Sequence, residues 1–195
     1  LIQQAGVIAL DKLKPVLVVT EPVEVKLENN VLIRLLPSET LDLDIRIDFP
    51  DPAIGCQHYN YTHQHGCFEN ELADARTFCM LKDVETMRHS GLARGGSLDN
   101  AIVVDNGIVL NQSGLRSESE FVKHKVLDCL GDLYLLGMSL RARVCAHKPG
   151  HAASTAVLQA LISSPSSFYI ENRGNLTAQS SHPHLPVAAV ALATS

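Results

Sequence analysis

Apolar and polar residues alternate in short bursts along residues 15–49, "PVLVVTEPVEVKLENNVLIRLLPSETLDLDIRIDF". Alternation with a period of two is typical of strands that bury one face, and polar clusters such as "ENN" and "PSET" are typical of turns. The bursts are too short for amphipathic helices. The pattern therefore predicts antiparallel strands at 16–19, 23–27, 31–35 and 41–47.

Helical and strand patterns are mixed in the rest of the chain. The hairpin signal is "AIVVDNGIVL", whose Asn106-Gly107 pair favours a tight turn. The longest helix is predicted over 117–136, with Ser117 or Ser119 as its cap and Gly137 at its end. The other predicted elements are a short strand within 50–67, helices at 69–75, 81–90 and 150–163, and strands at 139–148 and 167–171.

This order of elements predicts an α+β fold. We expect a two-layer sandwich with helices on one face of a mostly antiparallel sheet, and a small inserted βαβ-like segment. Residues 1–14 are interpreted as the remnant of a preceding domain and a linker, because the chain begins with Leu1 in an apolar run. Residues 15–165 form the predicted domain, and 166–195, rich in Ser, Pro and His, a partly ordered tail.

The long helix carries an unexpected polar stripe. In "FVKHKVLDCLGD" (121–132), His124, Asp128 and Asp132 recur at every fourth residue, which places them along one side of a helix. His and Asp at this spacing can chelate a metal ion, as paired histidines do in helix-borne zinc sites. Two ligands are one short of a catalytic zinc site, and a solvated helix edge explains the same pattern.

A second histidine strengthens the hypothesis of a site. His151 follows Gly150 at the predicted start of a helix, where an imidazole can act as a general acid or bind an oxyanion. Asp132 could orient that ring, as carboxylates behind histidines do. His63 and His65 form an H-x-H pair for which metal binding is conceivable, although a solvated loop is the simpler interpretation.

Composition and charge narrow the class of protein. The chain has 195 residues, 46 % of them hydrophobic and 19 % charged, which is an ordinary globular composition. Its net charge is −5, and it has no basic stripe, so we expect no nucleic-acid partner. Five cysteines without a C-x-x-C pair, and no signal peptide, favour a cytoplasmic location.

Several motifs together resemble one family. "GLARGGSLDNAIVVDNGIVLNQSGLR", "EFVKHKVLDCLGDLYLLG" and "AHKPGHAASTAVLQAL", with "LADARTF" and "DFPDPAIGCQ", resemble the second half of bacterial UDP-3-O-acyl-N-acetylglucosamine deacetylase. The resemblance covers about residues 1–163. It implies zinc-dependent hydrolysis of the N-acetyl group of the acylated nucleotide sugar, which commits the cell to lipid A biosynthesis. It also implies, at most, peripheral contact with the inner membrane.

The resemblance also implies a role for each site residue. His124 and Asp128 would bind Zn²⁺, His151 would be the general acid, and Asp132 would orient His151. Thr77 would hydrogen-bond near the reacting carbonyl, Lys125 would contact the substrate, and Phe78 would pack on the sugar. An insert at about 79–103 would line a passage for the acyl chain, although core packing explains its residues equally well: Leu81, Val84, Ala93, Gly96, Ser97, Ala101 and Val103.

The chain departs from the family's pattern in one important respect. The family's third zinc ligand and its general base lie in an E-H-L type motif of a first domain, and this chain does not contain that motif. We therefore expect an incomplete deacetylase whose partner is the missing N-terminal domain. The alternative is a catalytically inactive module that only binds the nucleotide sugar or that domain. Ser117, Ser119, Pro149, Ser154 and Thr155 also differ from the family, which affects only fine substrate contacts.

Overall fold

The computed structural model describes residues 2–6, 8, 12–64, 66–91, 94–172 and 174. Four α-helices are present in these ranges: α1 (Ile2–Ala5), α2 (Leu81–His89), α3 (Glu120–Leu133) and α4 (His151–Ile162). The strands are β1 (Val16–Val19), β2 (Val23–Lys26), β3 (Leu32–Leu36), β4 (Leu41–Asp48), β5 (Cys56–Thr62), β6 (Thr77–Met80), β7 (Ala101–Asp105), β8 (Ile108–Val109), β9 (Ser139–His147) and β10 (Phe168–Glu171).

Strand β9 organises the larger, seven-stranded sheet. Residues 143–147 pair antiparallel with β3 and parallel with β4, so these two strands flank β9 on opposite edges. The first three residues of β9 pair parallel with β1, which in turn pairs antiparallel with β10. Four of the six pairings are antiparallel, and the sheet is extended by β2 beside β3 and β5 beside β4.

Helices α3 and α4 cover one face of this sheet. Strand β9 alternates strictly, with Leu140, Ala142, Val144 and Ala146 buried towards the core. The apolar side of α3, including Phe121, Val126 and Leu130, and that of α4, including Val157 and Leu161, join the same core cluster. The predicted α+β sandwich with helices on one face is confirmed.

A small βαβ unit is inserted between β5 and α3. Strands β6 and β7 pair parallel and are joined by α2, and β8 returns as a hairpin from β7. Because paired residues of a sheet share a face, Phe78 lies beside Ile102, and Thr77 beside Ala101. Ile102 is fully buried in the core, so Phe78 is on the core side and Thr77 on the opposite side.

Two local expectations need correction. A π-helix spans Phe68–Leu72 where an ordinary helix was expected to reach residue 75. Ser119 is at the N-cap position of α3, but no side-chain hydrogen bond caps the helix there. Instead the Glu120 carboxylate accepts from the backbone N–H of Arg116, at 2.6 Å. At the other end the prediction is confirmed, since Gly137 has a φ of +70° after a 3₁₀ turn at Tyr134–Leu136.

Part of the predicted chain organisation falls outside the residues that the structure describes. Most of the expected tail, and Ala93 and His65, lie outside the described residues. The proposed domain boundaries remain predictions. Within the described ranges, no helix is both long enough and apolar enough to cross a bilayer.

Candidate functional site

Two candidate ligands meet on one turn of α3. His124 Nε2 lies 3.2 Å from Asp128 Oδ1, and both side chains are more than four-fifths buried. Two donor atoms at that separation can each lie about 2.0–2.2 Å from a single ion, subtending an angle near 100°. The donor chemistry and spacing therefore fit a zinc ion as two of its ligands.

The other ring nitrogen of His124 also has a partner. Nδ1 lies 3.3 Å from the carbonyl oxygen of Ala75, in the segment just before β6. A carbonyl can only accept, so this contact places a proton on Nδ1. Nε2, which faces Asp128 Oδ1, is therefore the ring nitrogen that would bind a metal ion shared with Asp128.

Lys125 is bound to the same carboxylate. Its Nζ donates to Asp128 Oδ2 at 2.8 Å, while Oδ1 faces His124. The Lys125 side chain is only 17 % exposed, so its charge lies against the candidate metal pair. The positive charge of Lys125 therefore offsets part of the negative charge of Asp128.

A second pair lies one turn further along α3. Asp132 accepts a hydrogen bond from Nδ1 of His151, with its two carboxylate oxygens at 2.9 and 3.0 Å. His151 is the first residue of α4, and its side chain is 72 % exposed, whereas that of Asp132 is 16 % exposed. Asp132 thus orients the ring and leaves Nε2 of His151 accessible for proton exchange. The sequence suggested a contact between Asp132 and His151, and the structure shows that contact.

Phe78 joins the inserted unit to α3. Its ring makes edge-to-face contacts with Phe49 and Phe121, at centroid distances of 5.3 and 5.1 Å, and lies 6.2 Å from the His124 ring. The ring is half-buried among aromatic neighbours, and Thr77 beside it is exposed. The structure therefore brings Phe78 close to His124, whereas Thr77 lies on the opposite face of the small sheet.

The expected passage residues that the structure describes lie in three segments of the inserted unit. Ala101 and Val103 share with Thr77 the face of the small sheet that points away from the core. Leu81 and Val84 lie on α2, and Leu81 is 42 % exposed. Gly96 and Ser97 are in the exposed loop before β7, while Ala93 lies outside the described residues. The described members are thus distributed over the inserted βαβ unit.

Sequence reasoning missed an ion pair beside this site. Arg76 and Glu120 form a buried, two-pronged contact, with Nε–Oε1 at 2.8 Å and Nη2–Oε2 at 3.0 Å. Glu120 lies in the first turn of α3 and is not among the site residues expected from the sequence. A useful signal is that it precedes His124 by four residues, which places the two on neighbouring positions of α3.

The described residues supply only part of a metal centre. No group of three or more His, Cys, Asp and Glu side chains able to hold a metal ion occurs in the described ranges. His63, the described member of the H-x-H pair, contacts the hydroxyl of Tyr61 through Nδ1 at 2.9 Å. His124 and Asp128 are thus the donor pair that the fold brings together on α3.

The family model described as "LpxC: UDP-3-O-acyl N-acetylglycosamine deacetylase" matches residues 1–163. The chain belongs to this deacetylase family. Its motifs at 72–78, 120–137 and 146–161 lie within the matched range, so the resemblance inferred from them is confirmed.

Curated relatives named UDP-3-O-acyl-N-acetylglucosamine deacetylase support the same family. The one from Anaeromyxobacter dehalogenans is 40 % identical over 99 % of this chain and 61 % of its own length. The one from Psychrobacter arcticus is 41 % identical over 87 % of this chain and 53 % of its own length, and the one from a Nitratiruptor species is 47 % identical over 71 % and 46 %. The chain thus spans about half to three-fifths of the length of these deacetylase relatives.

Proposed function

We propose that this chain supplies part of the active site of a zinc-dependent deacetylase acting on UDP-3-O-acyl-N-acetylglucosamine, in lipid A biosynthesis. The observation that carries the proposal is the pairing on α3: His124 with Asp128, and one turn later Asp132 with His151. The family of the chain supplies the substrate class. The cytoplasmic location, with at most peripheral membrane contact, remains a prediction.

In this proposal His124 and Asp128 hold the metal through Nε2 and Oδ1. Zinc, when bound, lowers the pKa of a water ligand to about 7 and polarises the acetyl carbonyl. The carbonyl of Ala75 keeps the His124 proton on Nδ1, so that Nε2 remains a donor. The protein thus contributes a chelating pair that is already oriented before binding.

His151 handles the proton in the proposed amide hydrolysis. Asp132 occupies Nδ1, so the accessible Nε2 of the imidazolium can bind the developing oxyanion and then protonate the leaving amine. The ring exposes 72 % of its surface, which suits a group that must reach a substrate. The products are acetate and the free glucosamine amine.

Substrate contacts are proposed for the residues beside this pair. Thr77, exposed at the start of β6, is proposed to hydrogen-bond near the reacting carbonyl, and the half-buried ring of Phe78 to support the sugar. Lys125 is proposed to contact the polar part of the substrate after exchanging its bond to Asp128. Ala101 and Val103, on the same face as Thr77, are the passage residues best placed to meet an acyl chain.

The general base and a third zinc ligand are proposed to come from the part of the relatives' length that this chain does not span. The described residues hold no third donor next to His124 and Asp128, so we also propose an alternative function for the chain. In that alternative the chain is a catalytically inactive module that binds the nucleotide sugar or the preceding domain without turnover. Zinc content and acetate release separate the two functions.

The test joins this chain to the first half of the Anaeromyxobacter dehalogenans relative, giving what we call the joined protein. We expect it to bind one equivalent of zinc per chain and to release acetate from the acylated nucleotide sugar. His124→Ala and Asp128→Ala should each abolish stoichiometric zinc, because each removes one of the ligands. Bound zinc is measured by atomic absorption after gel filtration.

A matched histidine provides the control. His58 Nε2 contacts Asp44 Oδ1 at 2.8 Å on β4 and β5, so His58→Ala removes a comparable His–Asp contact away from α3. This variant should keep both zinc and activity. Normal zinc content in His124→Ala or Asp128→Ala would refute the ligand assignment, whereas zinc binding without acetate release would favour the inactive module.

A further inference from the structure

In the buried ion pair between Arg76 and Glu120, both oxygens of the carboxylate accept several hydrogen bonds. The side chains are only 4 % and 1 % exposed. Besides the two-pronged contact with the Arg76 guanidinium, the carboxylate accepts the backbone N–H of Arg76 at 3.1 Å and that of Arg116 at 2.6 Å. The guanidinium also donates to the carbonyl of Gly114 at 2.8 Å. Both carboxylate oxygens therefore have two N–H donors each.

This pair holds a particular piece of backbone. Arg76 is bound through both its side chain and its own N–H, so the peptide joining it to Ala75 is fixed against the first turn of α3. The carbonyl of that peptide is the one that His124 Nδ1 contacts at 3.3 Å. Glu120 and His124 are one turn apart on the same helix, so a single peptide group bridges both.

The contact from His124 to Ala75 depends on this support. At 3.3 Å it is longer than the usual 2.9–3.0 Å for N–H···O bonds, and a loop carbonyl could rotate away from it at little cost. Buried ion pairs give little net stability compared with apolar residues of the same volume. A role in positioning therefore accounts better than stability alone for the four donors gathered on Glu120.

We propose that Arg76 and Glu120 are positioning residues for the candidate metal ligand His124. They hold the Ala75 carbonyl on Nδ1, which fixes the ring orientation and directs Nε2 towards Asp128. The importance of this for zinc rests on the proposed function, but the hydrogen bond at Nδ1 is a property of the metal-free chain. The two can therefore be tested separately.

The first experiment records ¹⁵N chemical shifts of the His124 ring in the metal-free 195-residue chain. We expect Nδ1 to be protonated and hydrogen-bonded, whether or not Nε2, which faces Asp128, also carries a proton. A ring whose Nδ1 is unprotonated in the unmutated chain would overturn the proposal without any substitution.

The second experiment separates positioning from stability. The double variant Arg76→Met with Glu120→Leu replaces the ion pair with apolar side chains, which can retain stability while removing the hydrogen bonds to the backbone. We expect it to show mixed tautomers at His124. In the joined protein we expect zinc affinity to fall about 10–100-fold, the loss typical when a partner of a metal-bound histidine is removed.

Two further variants keep the result interpretable. Arg76→Lys retains the charge but not the two-pronged contact, and it replaces the double variant if that protein does not fold. Ile33→Ala removes packing at a fully buried position on β3, so it loses stability without touching the Arg76–Glu120 pair and should keep Nδ1 of His124 protonated. A fully protonated Nδ1 in both ion-pair variants would overturn the proposal, whether or not the unmutated joined protein binds zinc.

Discussion

At His124 and His151, Nδ1 of each imidazole contacts a protein oxygen. His124 uses Nδ1 on the Ala75 carbonyl, and His151 uses Nδ1 on the Asp132 carboxylate. The second nitrogens differ in their surroundings: Nε2 of His124 faces Asp128 Oδ1 at 3.2 Å, whereas the His151 side chain is 72 % exposed. The fold therefore holds the same side of each ring and directs the other side to different places.

Asp132→Asn should lower kcat of the joined protein about 10–100-fold, with a smaller effect on KM. An amide can donate to Nδ1, which would shift the His151 ring towards the tautomer with the wrong nitrogen protonated. Steady-state kinetics and zinc content give the measurement.

The matched control is Asp48→Asn, since Asp48 binds Lys148 at 2.9 Å on the exposed part of β4. It should leave kcat unchanged. If Asp132→Asn retains full turnover with normal zinc, Asp132 does not orient a proton donor.

At the scale of elements, local sequence patterns predicted individual strands and helices but not which strands pair with each other. The alternation of β9 and the Asn106-Gly107 turn were sufficient to place a strand and a hairpin, because both signals are local. The parallel pairing of β9 with β1 and β4 joins segments about 100 residues apart, and no local pattern encodes that register. Arg76 and Glu120 were missed for the same reason, since they are 44 residues apart.

Glu120→Gln should destabilise the fold by about 3–5 kcal/mol at pH 7, because it leaves the Arg76 charge buried without its partner. Burial alone would raise the pKa of Glu120, but hydrogen bonds from Arg76 and Arg116 lower it below its ordinary value of 4.5. A lowered pKa contributes stability above about pH 4.5, and that contribution is lost as pH falls through the folded-state value.

The difference in unfolding free energy between the wild-type chain and Glu120→Gln should therefore be largest near neutral pH and shrink below about pH 4.5. Urea denaturation at several pH values between 7 and 3 measures it. A difference that stays constant over this range would show that the ionised carboxylate is not what stabilises the pair.

Gly107→Ala should destabilise the inserted unit by about 1–3 kcal/mol. Gly107 has a φ of +81°, and a Cβ there would lie 3.0 Å from Cγ of Pro52, in the loop that the β7–β8 turn contacts. Thermal unfolding with matched Gly95→Ala provides the measurement, since a Cβ on Gly95 meets nothing within 4 Å. Equal losses in both variants would mean that the turn does not require the left-handed conformation.

At the scale of the whole molecule, the fold presents its chemistry at one place. The βαβ unit reaches α3 through Phe78 and Ala75, and α4 reaches it through His151. The candidate metal pair, His151 and Phe78 therefore meet at α3 from elements far apart in sequence. The convergence could be predicted only through the family resemblance, because spacing within α3 does not reveal which segments pack against it.

The 195-residue chain alone should bind zinc weakly and release little or no acetate, whereas the joined protein should do both. The physical reason is that a catalytic zinc usually takes three protein ligands, whereas the described ranges offer only His124 and Asp128 as a candidate pair at this place. Zinc titration and acetate release are measured on both proteins, with His124→Ala in the joined protein as the negative control. Stoichiometric tight zinc and full turnover by the 195-residue chain would show that it already holds a complete site.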